Sequence, residues 1–386
     1  EGVLVSVGER RREYTSVEIC AGAGGQALGL HRAGFAHRAL IEIDEHACRT
    51  LEHNTAKQGW QDCRILRKDL LEYTAADLEA DLRADPGVEI RGGRLDLLSG
   101  GVPCPPFSVA GKQLGKDDER DLFPAMLDMA EYLQPKAVMI ENVRGLLEPA
   151  HKFADYREWI IGRLEEAGYT ICGWDILEAC DYGVPQLRPR AILVAMQEPY
   201  ARYFTRPRQR AGGRVTVAEA LKESMRERFG EEGRAVFEKW LRKAEENGGV
   251  APTLVGGSKK HGGADLGPTR AKRAWAELGI DAHGVADEPH SIKDPERDLY
   301  GERGPKLTVT QAAIIQGFPA DWEFQGRKTA AYRQVGNAFP PPVAQAVGES
   351  IISAIAASEA GAEPPQERTT SLLPSGSKPR QLAFAV

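Results

Sequence analysis

The sequence contains no apolar run that approaches the ~20 residues needed for a membrane-spanning helix. Residues 1–12 are rich in charge and have no apolar core of the kind that a secretory signal peptide requires. Both absences argue against a membrane partner. They favour a protein of the cytoplasm.

Cysteine is also scarce. The 386 residues include 6 cysteines, which are widely spaced and never form a Cys-x-x-Cys pair. This pattern argues against a disulfide framework and against a zinc site, and it fits a reducing compartment. We therefore predict no metal site.

Positive charge is in deficit overall, because the formal net charge is −6. Taken alone, this charge disfavours a nucleic-acid partner. The distribution is uneven, however, since residues 197–305 carry a net charge of about +2 and the rest about −8. Arginines at 202, 206, 208, 210 and 214 surround two aromatic residues, and Lys259, Lys260 and Arg270 follow. Such a segment suits phosphate contacts, although a solvated basic surface is the alternative.

A glycine-rich turn follows the first predicted strand, Ser16–Cys20. Gly22, Gly24 and Gly25 stand between this strand and a predicted helix. This order brings a nucleotide-like ligand against backbone N–H groups. The spacing is not G-x-G-x-x-G, so a plain tight turn is the alternative.

Acidic residues follow the next two predicted strands. Glu42 comes about 20 residues after the glycines, where a carboxylate can accept hydrogen bonds from both hydroxyls of a ribose. Asp44 is predicted instead as the N-cap of a helix over residues 45–54. Asp69 follows a strand near Cys63, where it either reaches an adenine amino group or caps a helix.

A cysteine among prolines follows the predicted buried strand 95–98. Two glycines end this strand, and Cys104 then lies between Pro103 and Pro105. Because proline fixes φ and has no N–H, this loop holds the thiol at the carboxyl edge of a strand. An inert buried cysteine is the alternative. The polar run 108–120 is expected to be a mobile loop that closes over a ligand.

Another candidate acid, Glu141, ends the apolar strand 136–140. A partly desolvated carboxyl group there can donate a proton, unless it simply pairs with a cation such as Arg144. Arg188 and Arg190 alternate with Pro189, which predicts that both guanidinium groups point to one face. Two such groups suit a carboxylate, a phosphate or a polarised carbonyl, and a solvated face is the alternative.

Taken in order, these segments resemble the DNA cytosine-5 methyltransferases from about Ser16 to Ile355. The motifs that carry the resemblance are the glycine turn 21–29, the loop Pro103–Ser108, the acid motif Glu141–Val143, the Gln186, Arg188 and Arg190 element, and Gln334–Asn337. The resemblance implies an α/β fold with a Rossmann-like S-adenosylmethionine-dependent methyltransferase sheet and a smaller target recognition domain.

The resemblance also implies S-adenosylmethionine as cofactor and S-adenosylhomocysteine as product, with no metal. Glu42 would bind the ribose and Asp69 the adenine. The implied cofactor residues are Cys20, Gly22, Gly24, Gly25, Glu42, Ile43, Asp69, Leu70, Pro103, Asn337 and Ala338. Cys20 and Ile43 are departures, because family members often have aromatic residues there.

The implied reaction begins with addition of the Cys104 thiolate to C6 of cytosine, while Glu141 hydrogen-bonds or protonates N3. Arg188 would hold the carbonyl oxygen of the base, and Arg190 would brace the thiol loop and Glu141. The cytosine must be flipped out of the duplex. The implied DNA contacts are Ser108, Arg120, Lys259, Lys260 and Arg270. An RNA cytosine-5 methyltransferase and a non-catalytic DNA-binding relative are the alternatives.

A chain of this length can form two domains. Residues 332–342 are predicted as a turn before a long helix over 343–358. The expected organisation is a flexible N-terminus (1–13), a catalytic domain (14–196 with 332–358), a target recognition domain (197–305), a hinge (306–331) and a disordered tail (359–386). We expect a monomer that acts on double-stranded DNA in a bacterial cytoplasm or nucleoid, with an independent restriction endonuclease as a candidate partner.

Overall fold

The computed structural model describes residues 12–83, 89–103, 121–256 and 264–365. Its central feature is a sheet whose strands are β1 (Tyr14–Ile19), β2 (Phe35–Glu42), β3 (Arg64–Arg67), β4 (Leu97–Gly100), β5 (Ala137–Val143), β6 (Tyr169–Glu178) and β7 (Pro189–Gln197). The spatial order of the strands is β3-β2-β1-β4-β5-β7-β6. All pairs are parallel except those made by β7, which runs antiparallel to both β5 and β6.

Helices cover the sheet and extend beyond it. In the described ranges they are α1 (Gly25–Ala33), α2 (Glu45–Lys57), α3 (Ala75–Arg83), α4 (Phe123–Leu133), α5 (Ala154–Glu166), α6 (Val217–Phe229), α7 (Arg234–Asn247), α8 (Thr269–Glu277), α9 (Pro295–Asp298), α10 (Val309–Ile315), α11 (Lys328–Asn337) and α12 (Pro341–Glu359). The short strand β4 is buried along its whole length, as expected for a parallel strand covered on both faces.

The strand order reverses direction between β1 and β4, because β2 lies on one side of β1 and β4 on the other. Open α/β sheets bind ligands in the crevice outside the carboxyl ends of the strands at such a switch point. The glycine turn follows β1 and the Pro103 segment follows β4, so both border this crevice. The topology therefore brings together two motifs that lie about 80 residues apart in the chain.

The C-terminal helix α12 packs against α1, the helix that follows the glycine turn. A Cβ atom at Gly29 would overlap the Pro341 carbonyl oxygen, and one at Gly348 would lie 2.8 Å from the Cβ of Ala33. These glycines let the two helices approach closely. Residues near the C-terminus thereby hold the helix that begins at the glycine turn.

The prediction that Asp44 caps a helix is confirmed. Asp44 is the N-cap of α2, since its Oδ1 accepts hydrogen bonds from the backbone N–H groups of His46 and Ala47.

The prediction of a turn over residues 332–342 is wrong in its first half, because α11 extends to Asn337. Glycine at 336 disfavours a helix, but its missing side chain allows α11 to touch another segment closely, and this packing outweighs propensity.

Residues 197–305 contain α6 to α9, and their only described part of the sheet is Gln197, the last residue of β7. Their apolar side chains form one cluster with residues of α1, α2, α10 and α11, with Trp240 and Trp275 buried in it. The predicted hinge 306–331 contains α10 and the buried Trp322, which belong to this same core. In the described ranges, no helix is long and apolar enough to cross a membrane.

Candidate cofactor and catalytic site

A cavity of about 700 Å³ lies outside the carboxyl ends of β1 to β5. This volume is within the range of small-molecule and cofactor sites. Of the predicted cofactor residues, those on the cavity wall are Cys20, Gly22, Gly25, Glu42, Ile43, Asp69, Leu70, Pro103, Asn337 and Ala338. Glu141 lines the same cavity. The structure thus brings the predicted cofactor residues and the predicted acid to one place.

Gly24 is the exception among the predicted cofactor residues. It has φ 86°, and a Cβ there would lie 2.8 Å from Leu51 and 2.9 Å from Trp322. It is not among the residues that line the cavity, although Ala23 and Gly25 on either side are, and its contact with the cofactor stays a prediction. Gly24 allows the turn to form against α2 and Trp322, because only glycine combines this φ with such close neighbours.

The Glu42 carboxylate organises the glycine turn. Its Oε2 accepts a hydrogen bond from Gly22 N at 2.7 Å, and its Oε1 accepts from Ile43 N and Asp44 N at 2.8 Å each. Because Oε2 accepts only one of these three hydrogen bonds, it keeps a lone pair for a ligand. Glu42 is therefore held in place on the cavity wall and can still accept hydrogen bonds from a ribose.

Asp69 and Ile43 form the neighbouring part of the wall. Asp69 Oδ1 accepts a hydrogen bond from Leu71 N at 3.0 Å, a local turn that fixes the side chain beside the cavity. Ile43 is 57% exposed and lines the cavity, so its apolar side chain is placed where a bound ligand can cover it.

Glu18 and Gln26 are functional candidates that the sequence predictions missed. Both line the cavity, yet they are only 1% and 4% exposed. Glu18 Oε2 and both amide atoms of Gln26 make no hydrogen bond of standard geometry among the described residues. Burial raises the pKa of Glu18 well above its ordinary value, and the nearby Gln26 side chain offsets only part of this effect. Buried polar atoms without partners on a cavity wall indicate a polar ligand group. The available signal was a charged residue inside an apolar strand.

The Glu141 carboxylate pairs with Arg190. The Nε atom of Arg190 lies 2.7 Å from Oε1 of Glu141, and the two side chains are 15% and 14% exposed. The alternative partner, Arg144, instead pairs with Glu148. The remaining oxygen, Oε2, lies 3.0 Å from where a Cβ of Gly101 would be, so the glycine leaves it room beside the cavity.

Arg188 and Arg190 have different surroundings. Arg188 is 1% exposed and lies off the cavity wall. Its Nη1 donates to the Leu254 carbonyl oxygen at 2.7 Å and its Nη2 to that of Gly336 at 2.8 Å. Besides burial, the charge of Arg190 lowers and that of Glu141 raises the pKa of Arg188, so the two guanidinium groups lie near each other. That they share one face stays a prediction. Arg190 is the guanidinium beside the acid.

Cys104, Ser108, Arg120, Lys259 and Lys260 lie outside the described residues. Their flanks are described, and Pro103 and Leu122 both line the cavity. The Pro103 carbonyl accepts a hydrogen bond from Leu122 N at 3.4 Å, and Asn142 Nδ2 donates to the Val102 carbonyl at 2.9 Å. Pro103, the residue before Cys104, therefore lies on the cavity wall, next to the strand that bears Glu141.

The basic residues after position 197 are partly paired with acids. Arg206 lies 2.6 Å from Asp175 and Arg214 lies 3.3 Å from Asp181. Arg270 is exposed near the start of α8. Charge in this region is therefore less concentrated than the arginine count alone indicates.

The fold and the site together define a Rossmann-like, S-adenosylmethionine-dependent type of methyltransferase. Two solved structures share this fold: a Spodoptera frugiperda DNMT2 mutant (TM-score 0.58, 18% identity, 88% of this chain and 99% of that one) and the Entamoeba histolytica methyltransferase EhMeth (TM-score 0.58, 16% identity, 89% and 99%). At these identities, the likeness concerns the fold alone.

Sequence comparison is more specific. The family profile of the C-5 cytosine-specific DNA methylases matches residues 14–353. The Type II methyltransferase M.NaeI of Lentzea aerocolonigenes is 51% identical over 344 residues, covering 88% of this chain and 75% of that protein. The Type II methyltransferase M.NgoMIV of Neisseria gonorrhoeae is 46% identical over 347 residues, covering 89% and 98%. The chain belongs to the C-5 cytosine-specific DNA methylase family, and its function is DNA cytosine-5 methylation.

Proposed function

We propose that this protein methylates cytosine within one specific duplex sequence as the modification enzyme of a restriction-modification system. The observation that carries the site assignment is that Glu141, paired with Arg190, lines the same cavity as Pro103, the neighbour of Cys104. The Type II names of the two relatives support the restriction-modification context.

S-adenosylmethionine fits the chemistry of the cavity. Glu42 can accept hydrogen bonds from the ribose hydroxyls, and Asp69 can accept one from the adenine amino group. The unpartnered atoms of Glu18 and Gln26 suit the charged amino-acid end. When bound, the cofactor supplies an electrophilic methyl group on a sulfonium.

The residues of this chain activate the base. The Cys104 thiolate adds to C6 of a flipped cytosine, and the electron pair of the C5–C6 double bond becomes available at C5. Glu141 hydrogen-bonds or protonates N3, so the ring carries the added electrons without a full negative charge. After C5 accepts the methyl group, it loses its proton and the Cys104–C6 bond breaks, which restores the double bond.

Arg190 has two tasks in this proposal. Its Nε orients the Glu141 carboxylate, its Nη1 donates to the Pro189 carbonyl oxygen at 2.9 Å, and its Nη2 can donate to the carbonyl oxygen of the base. This assignment replaces the expectation that Arg188 holds that oxygen. We further propose that residues 197–305 read the target, that residues 306–331 connect them to the catalytic domain, and that the enzyme acts as a cytoplasmic monomer alongside an independent endonuclease.

A mechanism-based trap tests the proposal. Bisulfite sequencing of DNA from cells that express the chain first identifies the target sequence. A duplex with 5-fluorocytosine at that position is then incubated with the enzyme and S-adenosylmethionine. Because fluorine cannot leave as a proton does, the Cys104 adduct should persist through denaturing electrophoresis, and Cys104→Ala should form none. Trapping on tRNA but not on the duplex would contradict DNA as substrate.

A further inference from the structure

Arg188 is a fully buried arginine whose guanidinium group makes no described hydrogen bond to a carboxylate. Its side chain donates to the carbonyl oxygens of Leu254 and Gly336, and its Nε has no hydrogen-bond partner among the described residues. Burial lowers the pKa of Arg188 well below its ordinary value. Burying such a group is costly, so an apolar side chain would serve mere packing better. The geometry indicates that its two Nη groups serve to hold these two carbonyl groups in place.

The two carbonyls belong to different parts of the protein. Leu254 lies two residues before Gly256, after which the sequence continues into the basic run that includes Lys259 and Lys260. Gly336 immediately precedes Asn337, which lines the cofactor cavity. Arg188 therefore bridges the segment leading to the basic run and the wall of the cavity.

The bridged segments touch directly. A Cβ at Gly336 would overlap the backbone N of Gly256, and a Cβ at Gly256 would overlap Oδ1 of Asn337. With no side chain between them, neither backbone can shift without displacing the other. The Asn337 side chain thus rests on the segment that Arg188 holds.

Gln186 makes a second connection between Leu254 and the cavity wall, through Gln316. Its Oε1 accepts a hydrogen bond from Leu254 N at 2.8 Å, and its Nε2 donates to Gln316 Oε1 at 2.7 Å. Gln316 in turn donates to the carbonyl of Ala338, another residue of the cavity wall. A buried hydrogen-bonded network therefore links residue 254 to both Gly336 and Ala338, on either side of Asn337.

We propose that Arg188 is a positioning residue that couples cofactor binding to target-DNA binding. It holds residues 254–256 against Asn337 and Ala338. Binding of the cofactor on one side therefore favours the conformation that binds DNA on the other, and the reverse also holds. This inference rests on the proposed function of the cavity and of the basic segment. Because coupling is reciprocal, S-adenosylhomocysteine should tighten duplex binding by the factor by which the duplex tightens S-adenosylhomocysteine binding.

The first test compares two buried arginines. The Kd of S-adenosylhomocysteine is measured by calorimetry with and without the target duplex. For the wild-type enzyme we expect a ratio of roughly 5 to 150, the usual range of such coupling. Arg188→Lys should bring the ratio close to 1, because one ammonium group cannot span both carbonyls. Arg157→Lys is the matched control, since Arg157 is also buried and donates to backbone carbonyls (those of Leu146 and Lys152), but neither of these residues adjoins one that lines the cavity.

The second test leaves the guanidinium intact. Gly336→Ala should separate residues 336 and 256 and likewise bring the ratio close to 1. Gly162→Ala is its control, because Gly162 also lies within a helix and a Cβ there would meet nothing within 4 Å. A wild-type ratio in either folded variant would overturn the proposal. A merely structural role would lower stability without changing the ratio.

Hydrogen exchange supplies a test that needs no variant. In the wild-type enzyme, S-adenosylhomocysteine should slow exchange of the Leu254 amide as well as the Ala338 amide. Unchanged exchange at Leu254 would overturn the coupling. If the enzyme neither binds S-adenosylhomocysteine nor forms the 5-fluorocytosine adduct, the proposed function itself fails. If it does both and the wild-type ratio is 1, only the coupling fails.

Discussion

The Nε atom of Arg190 lies 2.7 Å from Oε1 of Glu141. The pair spans two antiparallel strands, in which Arg190 stands opposite Val143 rather than Glu141. The contact is therefore diagonal across the ladder, at the edge where β5 ends. It holds one carboxylate oxygen, while the other lies beside Gly101. This relationship makes Glu141 an oriented acid.

Replacement of the acid should remove most of the activity. We expect Glu141→Gln to lower kcat by about 10²- to 10⁴-fold, because the amide cannot donate a proton as a carboxylic acid does. Single-turnover transfer of a labelled methyl group to the target duplex measures the effect. Arg144→Gln is the control, since Arg144 pairs with Glu148 instead, and it should retain wild-type kcat. Equal losses in both variants would argue against the assigned role.

The exposed Ile43 should contribute to cofactor affinity. If the ligand covers roughly 60 Å² of its apolar surface, Ile43→Ser should weaken S-adenosylhomocysteine binding by about tenfold, at ~25 cal/mol per Å². Leu71→Ser is a matched control, because Leu71 is 60% exposed but does not line the cavity. Calorimetric Kd values decide the point, and an equal Kd for Ile43→Ser and wild type would contradict it.

Contact between α1 and α12 should depend on Gly29. We expect Gly29→Ala to lower the free energy of unfolding by about 3 kcal/mol, because its Cβ would overlap the Pro341 carbonyl. Gly162→Ala should instead be neutral or stabilising by about 0.5–1 kcal/mol, since alanine favours helix and has space there. Urea denaturation measures both. A stable Gly29→Ala variant would show that the two helices can separate without cost.

His37 should make stability depend on pH. Its Nε2 donates to the Ala27 carbonyl at 2.8 Å, so its Nδ1 is the acceptor for Ser16 Oγ at 2.8 Å. Burial lowers the pKa of His37 from 6.5 to about 4. Because the folded-state pKa is the lower one, the stabilisation is present above pH 6.5 and is lost as the pH falls towards 4.

Protonation of His37 is expected to lower the free energy of unfolding by at most about 3 kcal/mol. The free energy of unfolding, measured by urea denaturation between pH 7 and about pH 4.5, should fall less steeply in His37→Gln than in the wild type. His283→Gln serves as the control, because His283 is half-exposed and paired with Asp281. An unchanged slope in His37→Gln would contradict the assignment.

Local patterns predicted local structure well. The Asp44 cap, the strand that ends near Glu42 and the break after β4 depend on neighbouring residues, so they can be predicted from sequence. The helix over residues 328–337 was missed, because its glycine is compensated by a contact with Gly256, which lies 80 residues earlier. A pattern within one segment contains no information about such a partner.

In the functional site, too, some features follow from the local sequence and others depend on contacts with distant segments. Alternation along the chain predicts that Arg188 and Arg190 point together, but it does not tell which of them pairs with Glu141, and in the structure that residue is Arg190. Glu18 and Gln26 were missed because their importance lies in unpartnered atoms on a cavity wall, and pairing is a property of the surroundings. Trp322 lies in the predicted hinge, yet it donates a hydrogen bond to the Ala23 carbonyl in the glycine turn.

The sequence by itself determined the family, the order of the motifs and the residue types available for chemistry, since these depend on identity and spacing alone. Only the tertiary structure decided which arginine meets the acid, which glycine touches the cavity and which carbonyls hold Arg188. Such pairings are set by where strands begin and by how closely distant backbones pack. Both depend on contacts between segments far apart in the chain.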